Sequence, residues 1–181
     1  MGKTSTRCVK LLGLGAALLA LTTTDFIDTA DARITKIVIA KRAPALEGAT
    51  FGAAGAYEQV DGTAYGEIDP RDPLNAVIQD IELAPRNARG MVEYSMDISI
   101  LKPLALSNGT RTLPYAPANR GRKNLPFLNI GGDPTKPGDG FLHREGYTLA
   151  WSGWEGDITS GVKITLPVAA NPDGSPITGR V

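Results

Sequence analysis

Val92-Glu93-Tyr94-Ser95-Met96-Asp97-Ile98-Ser99-Ile100 is the stretch whose reading decides the fold class. Apolar Val92, Tyr94, Met96, Ile98 and Ile100 alternate with Glu93, Ser95, Asp97 and Ser99. A period of two sustained over this length predicts a strand with one apolar, buried face. Toward the N-terminus, Ile34 to Ala40 carries a weaker strand pattern, and a further strand is predicted over Ala76 to Leu83. Between them, Phe51-Gly52-Ala53-Ala54-Gly55-Ala56-Tyr57 and Asp69-Pro70-Arg71-Asp72-Pro73 are turn-rich. Together these segments predict an antiparallel β layer at the front of the domain.

Toward the C-terminus, Thr112 to Ala118 reads as a strand that runs into a polar loop, Asn119-Arg120-Gly121-Arg122-Lys123. A short helix is predicted over Asp139 to Glu145, with Gly146 as the left-handed residue that ends it, and a strand over Tyr147 to Trp151. Strand, loop, helix, strand is a βαβ unit, which yields parallel neighbours in a sheet. Val162 to Val168 and Pro176 to Val181 carry strand signals on either side of a turn at Asn171-Pro172-Asp173-Gly174. There is no internal repeat and no low-complexity linker within 33–181. The expectation is one β-rich α/β domain, or a piece of one.

The first 32 residues are read as a cleavable signal peptide. Lys3, Arg7 and Lys10 form a basic start, Leu11 to Leu21 an apolar run, and Ala30-Asp31-Ala32 a small-x-small cleavage site. The apolar run is too short for a bilayer span, which takes about 20 residues, so no membrane association is expected after cleavage. The chain is thus expected to be secreted or periplasmic. Its single cysteine, Cys8, falls in the removed segment, which rules out a disulfide within the mature protein. Lys plus Arg equals Asp plus Glu at 19 each, and no basic stripe interleaved with aromatics occurs, which argues against a nucleic-acid partner.

Chemistry-bearing residues are sparse. His143 is the only histidine, and a Ser-His-Asp relay needs one beside its nucleophile. Set in Phe141-Leu142-His143-Arg144-Glu145, between charged neighbours, it is expected on an exposed helix face. Ser152, in Trp151-Ser152-Gly153-Trp154, lacks the first glycine of a nucleophile elbow. With one histidine and no mature cysteine, the usual zinc ligand sets are missing. Asp69, Asp72 and Asn75 suggest either a calcium loop or, without EF-hand spacing, a turn. Gly131-Gly132 and Gly138 to Gly140 have neither Walker nor dinucleotide spacing and read as turns, so no cofactor is expected. Trp151 and Trp154 are either a sugar-stacking platform or ordinary packing.

Several ordered phrases carry a resemblance. Tyr57-Glu58, Gly62-Thr63-Ala64-Tyr65-Gly66-Glu67, Leu83-Ala84-Pro85-Arg86-Asn87, Asn119-Arg120-Gly121, Gly138-Asp139-Gly140-Phe141-Leu142 and Gly146 to Asp157 resemble the N-terminal part of a family of large secreted α/β hydrolase domain proteins. The resemblance implies an incomplete α/β-hydrolase-like sheet, and serine-type hydrolysis of a small-molecule ester by the complete protein. Its nucleophile, acid and catalytic histidine would then lie beyond Val181, leaving this chain inactive alone. Asn119, Arg120 and Gly121 would form the oxyanion side of the site, because in that fold one oxyanion donor comes from the loop joining a strand to the first major helix. A connecting turn is the other reading of the same three residues. The alternative for the whole chain is a small exported β-rich binding protein without catalysis.

Overall fold

The computed structural model describes residues 32–133 and 135–179. The signal-peptide reading therefore lies, but for Ala32, outside the described residues. One open, mixed sheet organises the rest: β1 (Arg33–Pro44), β2 (Thr50–Phe51), β3 (Gly55–Ile68), β4 (Val92–Pro103), β5 (Tyr115–Pro117), β6 (Leu149–Ser152) and β7 (Ile164–Thr165). The order is β1-β3-β4-β6-β5, with β2 on β3 and β7 on β4. The single α-helix among the described residues, α1, is one turn, Phe141–Arg144.

β1, β3 and β4 form the expected antiparallel layer. β5 and β6 pair in parallel across the crossover that contains α1, as the strand-loop-helix-strand reading predicts. Gly146, at φ +73°, ends α1: its N–H reaches the His143 carbonyl and the Tyr147 N–H reaches that of Leu142.

Three elements depart from expectation. The longest strand, β3, runs through a segment whose first part reads as a turn, and its glycines explain the difference. β1 bulges between Ile34 and Lys36 opposite Gly66, and between Ile39 and Lys41 opposite Gly62. A side chain at Gly62 would strike the Val38 carbonyl, and one at Gly66 would strike the ring of Tyr94. Both glycines thus permit close cross-strand approach inside a strand. The stretch Ala76 to Leu83, predicted as a strand, instead follows a 3-10 turn at Pro73–Asn75 and contains a second at Ile81–Leu83. Asp72 caps the first through the Leu74 N–H at 2.9 Å, and Asp80 sits at φ +55°, a left-handed conformation that breaks an extended run. Of the strand read over Val162 to Val168, only Ile164–Thr165 pairs.

The buried face of β4 is also not the one its alternation suggests. Cross-strand partners share a face. Asp61 opposite Ser99, and Ser99 opposite Trp151, share one face with Leu101 and Leu149. On that face Leu101, Leu149 and Trp151 join Phe51, Tyr57 and Leu142 in the core. The apolar set Met96, Ile98 and Ile100 lies on the opposite face and is half-buried, beside Ile37 and Ile39 of β1, which are exposed. Such a face invites association, because nothing among the described residues covers it.

At the far end of the sheet, Glu67 is only 1 % exposed, and its carboxylate is held by Arg33 (2.6 and 2.8 Å) and by Arg89. The Arg33 hydrogen bonds, joined by those from Arg89 and opposed by burial, hold this carboxyl below its ordinary pKa. Its stabilising contribution is therefore complete above the unfolded-state carboxylate pKa and is lost as pH falls through the lower folded value. Glu67→Gln should lower the melting temperature at pH 7 more than Asp157→Asn, whose side chain is 72 % exposed. Melts of both variants from pH 7 to 3 test this, and equal effects would show the clamp to be unimportant.

Candidate functional site

The parallel pair sets the geometry. Ligands of open α/β sheets bind beyond the carboxyl ends of the strands, and the loop leaving β5 is where Asn119, Arg120 and Gly121 stand. Ala118, fully buried, donates its N–H to the Ser152 carbonyl at 3.0 Å and carries the β5–β6 pairing to the edge of the loop. The chain then turns tightly. Arg120 and Gly121 both have positive φ (+49° and +75°), and the Arg122 N–H closes the turn on the Asn119 carbonyl at 3.0 Å.

The three residues go to different places. Asn119 is exposed. Arg120 turns away to pair with Asp157 at 3.0 Å and approaches Glu155 at 3.8 Å. Gly121 is buried; its carbonyl accepts from the Val162 N–H at 3.1 Å, and it lines a cleft. That cleft, of about 590 Å³, lies between the Asp61–Ser99 face of the sheet and the 121–127 loop, with Asp61, Thr63, Asp97, Ser99, Lys123 and Phe127 among its lining residues.

A hydrogen-bonded cluster forms part of this lining. Ser99, 3 % exposed, donates to Asp61 Oδ1 at 2.6 Å and accepts from Gln59 Nε2 at 2.7 Å and from Lys123 Nζ at 3.1 Å. Lys123 also stands 5.7 Å above the Trp151 ring. A hydroxyl with its proton given away and both lone pairs filled is a positioning group, not an available nucleophile. Sequence reasoning missed this cluster because its members, Gln59, Asp61, Ser99 and Lys123, are brought together only by strand register and by the loop after β5.

His143 corrects the exposed-helix expectation: it is 1 % exposed, stacked 4.8 Å from Phe51 and edge-on to Tyr57 at 5.1 Å. Asn129 fixes its protonation state. The Asn129 amide oxygen accepts from the Leu142 N–H at 2.8 Å, so its NH₂ faces His143 Nδ1 at 3.1 Å and donates to it. Nδ1 is then the acceptor, and Nε2, which has no hydrogen-bond partner among the described residues, carries the hydrogen. Burial lowers the pKa of His143 to about 4. The Tyr57 hydroxyl, its own pKa raised by burial to about 12, donates to the carbonyls of His143 and Tyr147 at 3.0 Å each. His143 therefore belongs to the core.

The remaining candidates resolve into structure. Asp69 pairs with Arg71 at 2.9 Å, Asp72 caps a 3-10 turn, and Asn75 donates to the Asp69 carbonyl at 2.8 Å, which makes this stretch a self-contained turn. No group of three or more potential metal ligands occurs among the described residues. Gly138 sits in a turn where Asp139 exchanges hydrogen bonds with Ile130. Trp151 is 2 % exposed and Trp154 is 56 % exposed, so the two form no joint platform. Ser152 bonds to the Tyr115 hydroxyl at 2.7 Å, on the face opposite Trp151. Among the described residues no helix is long and apolar enough to cross a membrane. Compared with known proteins, the chain matches no family model, no curated protein and no solved structure.

Proposed function

We propose that this chain is the N-terminal portion of an exported α/β-hydrolase-like protein that cleaves a small-molecule ester, and that it contributes the oxyanion-side loop but not the nucleophile. The observation that carries the reading is the loop at Asn119-Arg120-Gly121, which leaves the carboxyl end of a parallel strand, leads into the crossover and borders a cleft. This is the position from which that fold takes an oxyanion N–H. Gly121 brings backbone to the cleft, whereas Arg120 is engaged by Asp157, so a donor from this loop would be a main-chain N–H. The nucleophile and its base have to come from elsewhere, since His143 is enclosed by Phe51, Tyr57 and Asn129. In the same reading the exported form begins at Arg33.

The 181-residue chain should hydrolyse p-nitrophenyl acetate no faster than buffer. A reading frame continuing past Val181 should supply a G-x-S-x-G serine and hydrolyse the same ester, with activity lost on replacing that serine by alanine. A longer chain with no such serine, or activity of the short chain that disappears with His143→Ala, would overturn the reading. The alternative, an exported β-rich binding protein, is favoured by the same cleft, whose lining lies wholly within the described residues.

A further inference from the structure

We infer that the cleft under the 121–127 loop binds a neutral, hydroxyl-rich ligand of the saccharide class. The inference stands on the cleft alone and not on ester hydrolysis. At about 590 Å³ it has the size of cavities that hold small organic ligands. Its lining carries two carboxylates, Asp61 and Asp97, against two cations, Arg122 and Lys123. An ionic ligand of either sign meets as many like charges as opposite ones, so the lining favours neither. A sugar hydroxyl both donates and accepts, and gains from each of these groups.

The polar groups are held in position beforehand. Asp61 Oδ1 is fixed by Ser99 and Gln59, at 2.6 and 3.1 Å, and its Oδ2 has no hydrogen bond among the described residues. Asp97 accepts from the Lys163 N–H through Oδ2 at 3.2 Å, which leaves Oδ1 in the same condition. Lys123 is anchored on Ser99 at 3.1 Å with protons to spare. Cross-strand pairing of Thr63 with Asp97 and of Asp61 with Ser99 sets these groups side by side on one face. Groups locked this way lose little freedom when a ligand arrives. Phe127 adds the apolar element: it lines the same cleft yet is 60 % exposed, an aromatic face on which the C–H side of a pyranose can rest. Trp154, 56 % exposed, is not part of this lining.

The test is a titration of the full chain, followed by amide chemical shifts and calorimetry, with cellobiose, xylobiose and chitobiose as neutral probes and citrate and spermidine as ionic ones. At least one disaccharide should saturate and shift the amides of Thr63, Asp97 and Arg122. Phe127→Ala and Asp97→Asn should each weaken that binding about tenfold, the usual consequence of losing one good contact. Trp154→Ala should change it less than twofold. Phe127 is exposed enough for its variant to fold, so it decides the matter even where Asp97→Asn does not. Absence of disaccharide binding by the folded chain, tighter binding of citrate or spermidine, or shifts centred on Trp154 would each overturn the assignment. None of these outcomes depends on esterase activity, so the hydrolase reading stands or falls separately.

Discussion

Acidification from pH 6.5 to 4 should remove about 3 kcal/mol of folding stability through His143 alone. A histidine in the unfolded chain titrates near 6.5, whereas burial holds His143 neutral in the folded protein down to about 4. Between those values the unfolded state binds a proton that the native state does not, so stability falls as pH falls; below about 4 both states bind it and the loss saturates. A difference of about 2.5 pKa units at 1.36 kcal/mol each gives the figure. The geometry agrees with the direction: a proton on Nδ1 would face the Asn129 NH₂, donor against donor, in a pocket walled by Phe51 and Tyr57. Urea unfolding followed by tryptophan fluorescence at several pH values would measure it. His143→Phe should be less stable at pH 7, because Asn129 loses its acceptor, but its stability should vary less between pH 6.5 and 4. A profile as steep as that of the unsubstituted chain would assign the acid sensitivity to other groups.

His143 also illustrates what the sequence could and could not reveal. Its charged neighbours suggest a solvated helix face, but a one-turn helix has room for both kinds of side chain. Phe141 and Arg144 point outward, while Leu142 and His143 point in. The signal that could have found the buried histidine was Asn129, and nothing in a separation of 14 residues marks that contact. Periodicity was informative where one strand face is distinctly apolar, as in β4, and where a helix cap is a glycine, as at Gly146. It was silent in β3. There Gly62, Ala64 and Gly66 lie beneath neighbouring strands, and Gln59, Asp61 and Thr63 occupy the other face, so neither face reads as apolar. Alternation located β4 correctly but not its buried side, because burial at Ser99 and Leu101 comes from β6, the 119–127 loop and the core cluster, all distant in sequence. The cleft was hidden for the same reason. Its lining comes from three strands, β1, β3 and β4, from the loop after β5 and from Gly161 and Val162, and only the fold unites them.

Gly121→Val should cost about 3 kcal/mol of stability, and the cause lies in the contact between two glycines. Gly121 stands at φ +75°, where a β-branched residue costs about 1–2 kcal/mol. A Cβ there would also lie 2.5 Å from the Ser160 carbonyl oxygen and 2.7 Å from Ile158 Cδ1, closer than real side chains come. Forcing it in adds about 1–3 kcal/mol of overpacking. Gly161, at φ +86°, faces the Gly121 backbone from the other side, and the Val162 N–H bonds the Gly121 carbonyl at 3.1 Å, so the 119–122 turn is fastened to the 158–162 segment. Gly131→Val is the control. Gly131 has a similar φ of +71° but open space around it, so its variant should show the conformational cost alone, about 1–2 kcal/mol. Equal urea midpoints for the two variants would show that the fastening is not tight. The same substitution bears on the proposed oxyanion role only when activity is expressed per folded molecule in a longer, active chain. A displaced main-chain donor should lower kcat about 10²-fold and leave KM nearly unchanged, because the donor acts on charge that develops in the transition state. Full turnover in the folded fraction would make Asn119-Arg120-Gly121 a connecting turn, and the oxyanion assignment would then have to be withdrawn.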